Sequence, residues 1–228
     1  MLKNMFCLIK SVNLLNKIII MATKKKKTTA ETISDSYMDF VLTNGKMPNS
    51  VYEFAKSNGF EENEFYQFFA SFEQIEQDFF KQMFHYTLLM IQKSDNYESY
   101  DAKQKLSVFY FTFFEVATAN RSFINYLLVQ EKNKLKSLSK LKSLRNSFLE
   151  FVKSILENPI KSDIEKFNKV QNKVLIEGAW SQFLSILKYW LDDTSANFEK
   201  TDVFIELIEK GLLIIEFSYF EKYPLKKK

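Results

Sequence analysis

The stretch from Gly45 to Ile75, GKMPNSVYEFAKSNGFEENEFYQFFASFEQI, leaves the chain few choices. Its turn residues and apolar positions spell two short helices meeting at a tight corner. Ser50 is a good N-cap, and Glu53 three residues on gives Ser50-Val51-Tyr52-Glu53 the pattern of a capping box. Gly59 can take the left-handed conformation that ends a helix and turns the chain. Val51, Phe54 and Ala55 before it, and Phe60, Phe65 and Phe69 after it, supply the apolar contacts that hold two helices at an angle, which is the logic of a helix-turn-helix. Upstream, Thr32 to Thr43 carries Ile33, Tyr37, Phe40 and Val41 at helical spacing, so a third helix packs on the turn and completes a small head.

The rest of the chain reads as helix as well. Only 4 Gly and 3 Pro occur in 228 residues, which argues against Gly-rich cofactor loops and for long helices with short connections. The fold class expected is all-α, with room for a head and a larger body. Cys7 and His85 are the single Cys and the single His, too few for a disulfide or a Cys/His metal site, and they point to a reducing, cytoplasmic setting. No paired carboxylates, activated nucleophile or metal cluster rises above background, so no catalytic residue, no cofactor and no enzyme is expected. Gly45-Lys46 is not a phosphate loop, because Phe40 and Met47 stand where that motif needs Gly and Ser or Thr. His85, on a largely apolar helix, is expected as a packing residue without chemistry.

Met1 to Ile20 is apolar but broken by Lys3, Lys10, Asn13, Asn16 and Lys17, short of a membrane span and without a signal-peptide pattern. Met21-Ala22-Thr23 resembles an ordinary start, so residues 1–27 are expected as a disordered or mis-assigned extension ending in the lysine run Lys24, Lys25, Lys26 and Lys27. The head then occupies 28–71 and the body 72–228. In the body, Phe72 to Gln92 should form a long helix with Ile75, Phe79, Met83, Tyr86, Leu89 and Met90 along one side. Tyr100 to Gln130 is an aromatic-dense pair of helices for the centre of the body. Lys132 to Arg145 holds six basic residues and no acid, with Leu135, Leu138, Leu141, Leu144 and Phe148 at three- to four-residue steps. That is a basic amphipathic helix running on toward Pro159, its lysines solvated, or set against anionic lipid headgroups or flanking DNA. Lys166 to Leu191 and Thr201 to Phe220 supply the last two helices.

Gly45, Ser50, Val51, Phe54, Ala55, Gly59, Phe60, Phe65, Tyr66, Phe69, Ser71, Glu73 and Ile75 resemble, at the same spacing, the opening of the TetR (tetracycline-repressor) family. WLDDTSANFEKT followed by an apolar helix resembles the family's body more loosely. The resemblance implies a homodimer built on the last two helices and a body that encloses a cavity for an apolar or amphipathic small molecule. Phe109, Phe113, Phe114, Tyr126, Trp180 and Phe183 are the expected lining. It also implies DNA contacts: the arm Lys24 to Lys27 and Tyr66 on phosphate, the helix N-terminus at Ser50 on phosphate, and Asn63 or Gln67 on a base edge.

The departures fall on the DNA-facing surface, where Glu61, Glu62, Asn63 and Glu64 replace small residues and Phe72 replaces a lysine. From Gly45 to Phe80 there are two basic and seven acidic residues, although the whole chain is +4. Two functions therefore stand side by side. One is a ligand-responsive transcription regulator. The other is a TetR-fold protein that has lost DNA and binds lipid or isoprenoid, as does a similar protein of ubiquinone biosynthesis with a degenerate head, and for which a membrane surface is a further possible contact.

Overall fold

The computed structural model describes residues 28–130, 133–156 and 165–208, with backbone alone for residues 134 and 165–172. The described residues form ten α-helices and no strand. In order they are α1 (Ala30–Asn44), α2 (Val51–Ser57), α3 (Glu62–Tyr66), α4 (Phe72–Ile91), α5 (Ala102–Ala119), α6 (Arg121–Leu128), α7 (Lys134–Lys140), α8 (Lys142–Leu156), α9 (Glu165–Asp192) and α10 (Glu199–Leu207). Single 3₁₀ turns at Tyr97–Ser99 and Ala196–Phe198 join α4 to α5 and α9 to α10. The chain divides into two compact units, with the boundary between Phe72 and Glu73.

The head is packed from aromatic rings. Tyr37 of α1 stacks on Phe72 at 5.2 Å, and Phe54 of α2 meets Phe60, Phe65 and Phe72 edge-on at 5.8, 6.3 and 5.4 Å. Ile33, Tyr37, Val41, Phe54, Ala55, Phe65 and Phe69 are all buried. Phe40, expected among them, is half-buried at the edge of Phe54. Gly45 and Gly59 both have positive φ, 66° and 75°. At Gly59 the chain makes a Schellman turn, with Phe60 N–H donating to Ala55 O at 3.1 Å and the Phe60 ring closing on Phe54. Of the expected capping box at Ser50, half forms. The Ser50 hydroxyl accepts from Glu53 N–H at 3.2 Å, while the Glu53 carboxylate takes a hydrogen bond from Asn49 at 3.3 Å instead.

In the body, α9 packs against α8, α10 and α5, and α5 against α6, α8 and α10. Three details differ from the sequence reading. The buried side of α4 runs Ile75, Glu76, Phe80, Met83, Phe84, Thr87 and Ile91, whereas Tyr86, Leu89 and Met90 are exposed, because the helix turns the register of Phe80 and Phe84 inward. His85 is exposed too, so it is a surface residue and not a packing one. The basic segment is two helices. It breaks at Leu141, whose backbone caps α7 before α8 starts.

That break lets the two halves face differently. On α8, Leu144, Phe148, Phe151 and Val152 are buried as expected. On α7, Leu135 and Leu138 point outward while Ser137 and Lys140 are buried. Lys140 Nζ lies 3.2 Å from the Glu76 carboxylate, and both side chains are nearly solvent-free. Arg145 grips both oxygens of Glu177 at 2.8 Å and ties α8 to α9.

Candidate functional site

In the head, Asn63, Tyr66 and Gln67 stand at i, i+3 and i+4 on or just past α3, and all three are exposed. The helix that presents them is held at its start by acids. Glu61 N–H donates to Glu64 Oε2 at 2.8 Å, and the Thr28 hydroxyl donates to Glu64 Oε1 at 3.0 Å, so Glu64 is the reciprocal member of a capping arrangement and not a loose charge. Glu62 behaves differently. Its carboxylate accepts the Tyr66 hydroxyl at 3.4 Å, occupying the group expected to meet phosphate. Ser50 is exposed, its hydroxyl used on Glu53 N–H, and Glu53 puts a negative charge in the first turn of α2. Lys24, Lys25, Lys26 and Lys27 lie outside the described residues, as does the part of the expected helix Thr201 to Phe220 that follows residue 208.

In the body, five of the six side chains expected to line a cavity gather in one place. Trp180 stacks on Phe183 at 5.2 Å, Phe113 and Phe114 reach Phe183 at 5.0 and 5.8 Å, and Phe109 stacks on Phe113 at 5.7 Å. Phe148 fills the middle, 5.2 Å from Phe183 and 5.4 Å from Phe109. All are buried. Such edge-to-face and offset contacts are how rings fill a core. Tyr126 is elsewhere, half-buried and stacked on Phe123.

An open cleft of about 600 Å³ lies between α4, the Tyr97 turn, α5 and α8. Its floor is Phe84, Tyr97 and Phe151, with Leu88 and Ile155 at the sides. Its rim is polar: Gln92, Lys105, Ser147, Glu150 and Ser154. Lys105 is the one cation among these lining residues; its ammonium sits 5.1 Å from the centre of the Tyr97 ring and 4.0 Å from the exposed Glu98 carboxylate. Burial, and then the charge of Glu98, push the Tyr97 phenol above its ordinary pKa, so it stays a neutral hydrogen-bond donor. Phe84 and Leu88 come from one face of α4 and Gln92 from the turn just past its end, at four-residue steps, and Ser147, Phe151, Ser154 and Ile155 come from one face of α8.

A second constellation is structural. Asp193, buried at the corner between α9 and α10, accepts the hydroxyls and the N–H groups of Ser195 and Thr201 at 2.7–2.9 Å. Burial alone would raise its pKa, but these four hydrogen bonds outweigh it and bring the carboxyl down to about 2. Arg121 donates to the carbonyls of Trp190, Leu191 and Asp193 at 2.8–3.1 Å, its guanidinium 4.5 Å from the Trp190 ring centre and 4.4 Å from that of Phe198.

A helix-turn-helix head and an all-α body, two compact units of one chain, are the layout of a helical transcription regulator. Residues 105–227, more than half the chain, match the family described as "Tetracyclin repressor-like, C-terminal domain", and the chain belongs to that family. A search of curated proteins returned no match. Among the described residues, no helix is long and apolar enough to cross a membrane, and no group of His, Cys, Asp and Glu is placed to hold a metal ion.

Proposed function

We propose that the chain is a homodimeric, ligand-responsive transcription regulator, in which α3 meets DNA and the cleft over Phe84 and Phe151 takes an amphipathic small molecule. The observation that carries this is the exposed face of Asn63, Tyr66 and Gln67 on the second helix of a helix-turn-helix, borne by a chain of the repressor-like family. Phosphate contacts supply sequence-independent affinity, and an amide side chain can read adenine in the major groove. The cleft replaces the aromatic cluster as the proposed ligand site. Its apolar floor would hold a chain or ring, and Lys105 would favour an acidic or hydrogen-bonding head.

The hydrogen bond from Tyr66 to Glu62 favours a second reading, a lipid- or isoprenoid-binding protein of the same fold without DNA function. Fluorescence anisotropy with random duplex and with genomic fragments enriched by the full chain separates the two. A regulator binds one enriched fragment far more tightly than random duplex, and Glu62→Gln tightens binding to both by freeing the Tyr66 hydroxyl. If neither the parent nor Glu62→Gln binds any duplex at low salt, the DNA reading is wrong and the binding-protein reading stands. Calorimetry with medium-chain fatty acids tests the cleft: Leu88→Arg with Ser154→Arg should abolish uptake while leaving helicity intact.

A further inference from the structure

Two hydrogen-bond donors in the cleft over Phe84 and Phe151 have no acceptor among the described residues. Tyr97 lines the cleft and is only 5% exposed, yet its hydroxyl makes no hydrogen bond to any of them. What surrounds it is the Tyr100 ring at 6.3 Å and the Lys105 ammonium, 5.1 Å from its ring centre. A buried phenol is usually hydrogen-bonded, because taking the group out of water without a partner is costly. Lys105 is the second donor. Its side chain keeps 19% of its surface, and its one ionic partner among the described residues, Glu98, is 4.0 Å away and 90% exposed. An ammonium carries three N–H donors, and a solvated carboxylate beyond hydrogen-bond distance satisfies none of them. Tyr97 and Lys105 come from the turn before α5 and from its first turns, whereas Phe84 and Leu88 come from α4, and Phe151, Ile155 and the exposed Glu150 from α8.

An ammonium beside a phenol is matched by one carboxylate, whose two oxygens accept from one donor each. We propose that the cleft selects an amphipathic monocarboxylate, its ionised head on Lys105 and Tyr97 and its apolar part along Phe84, Leu88, Phe151 and Ile155. The proposal rests on the cleft being the ligand site, and it goes further by fixing the head that the ligand carries. Burial and Glu98 hold the Tyr97 proton on, so the phenol donates to the anion and does not repel it. A neutral alcohol leaves the Lys105 ammonium without a counter-charge. A second carboxylate at the far end of the ligand meets no cation, since Lys105 is the only one among the described lining residues, and Glu150 adds like charge to the rim.

Calorimetry on the full chain tests the proposal, with octanoate, 1-octanol and suberate as probes. Octanoate should bind at least about tenfold more tightly than either of the others. Lys105→Met should bring octanoate down to the level of 1-octanol and leave 1-octanol unweakened. Tyr97→Phe deletes the hydroxyl alone and should weaken octanoate by about tenfold. Because that hydroxyl has no partner in the free chain, Tyr97→Phe should not lower the unfolding midpoint without ligand, which separates a group that faces the ligand from one that holds the fold. Leu88→Trp with Ser154→Phe fills the cleft without adding charge and should abolish uptake. The head assignment is overturned, with the cleft still the ligand site, if 1-octanol or suberate binds as tightly as octanoate and the filled cleft takes up none of them. It is overturned too if octanoate binding survives Lys105→Met, or if Tyr97→Phe lowers the midpoint of the ligand-free chain. If no probe binds, or if the filled cleft takes up octanoate as the parent does, the cleft is not the ligand site and the head assignment falls with it.

Discussion

Gly59 shows how much a single backbone angle decides. An added Cβ would meet nothing within 4 Å, so space is not what requires glycine there. The φ of 75° is, because it puts Phe60 on the Ala55 carbonyl and against Phe54. Gly59→Ala should cost roughly 1–2 kcal/mol, the cost of a left-handed L-residue, seen as a lower denaturation midpoint with an unchanged helical spectrum. Asp193 is the counterpart in the body. Its folded pKa of about 2 lies below the ordinary carboxylate value of about 3.9, so its stabilisation is fully present above pH about 4 and is lost as pH falls toward 2. The shift corresponds to about 2 to 3 kcal/mol. Asp193→Ala should lose at least that much at neutral pH, because the Thr201 N–H is left buried without its acceptor. Stability of the variant should also fall less steeply below pH 4 than that of the parent, as followed by urea titration at several pH values.

At the scale of elements, the pair Glu76–Lys140 fixes how α7 meets α4. Removing one partner of a buried ion pair costs more than the pair itself contributes, since a desolvated charge is left behind. Lys140→Met should therefore destabilise by about 3–5 kcal/mol, and Glu76→Gln together with Lys140→Met should recover part of that loss in a double-mutant cycle. No recovery would mean that Lys140 acts through its stem packing alone. The half-exposed Arg145–Glu177 pair between α8 and α9 should matter less, about 1 kcal/mol or below. This element also marks a limit of periodicity. Leucines at 135, 138, 141 and 144 describe one continuous stripe, and the sequence alone reads one helix from it. A buried partner for Lys140, sixty-four positions back at Glu76, breaks that helix at Leu141 and turns the first half over.

For the whole molecule, the expected homodimer rests on α9 and α10. Along α9 the residues Val174, Gly178, Ser181 and Ser185 are exposed at three- to four-residue steps, and Tyr189 stacks on Phe204 of α10 at 4.4 Å beside the exposed Val203 and Leu207. Small side chains flanked by apolar ones let a second copy approach closely in an isologous four-helix contact. Ser181→Arg with Ser185→Arg should convert a dimer to a monomer in sedimentation at micromolar concentration without loss of helicity; a parent that is already monomeric at that concentration removes the dimer from the function proposed above.

The helices of the head, the corner at Gly59 and the all-α class were legible from sequence, because capping residues, glycine and apolar spacing act over a few residues, whereas Phe109, Phe113, Phe114, Trp180 and Phe183, expected as a cavity lining, stack on one another and on Phe148. The cleft over Phe84 and Phe151, the tie between Glu62 and Tyr66, the inward turn of Lys140 and the buried Asp193 were decided only in three dimensions. Each depends on which long side chain finds a partner across the fold, and a carboxylate or an ammonium reads the same in sequence whether it is solvated or desolvated. Local geometry is written in the order of residues, but the partners of charges are set by packing.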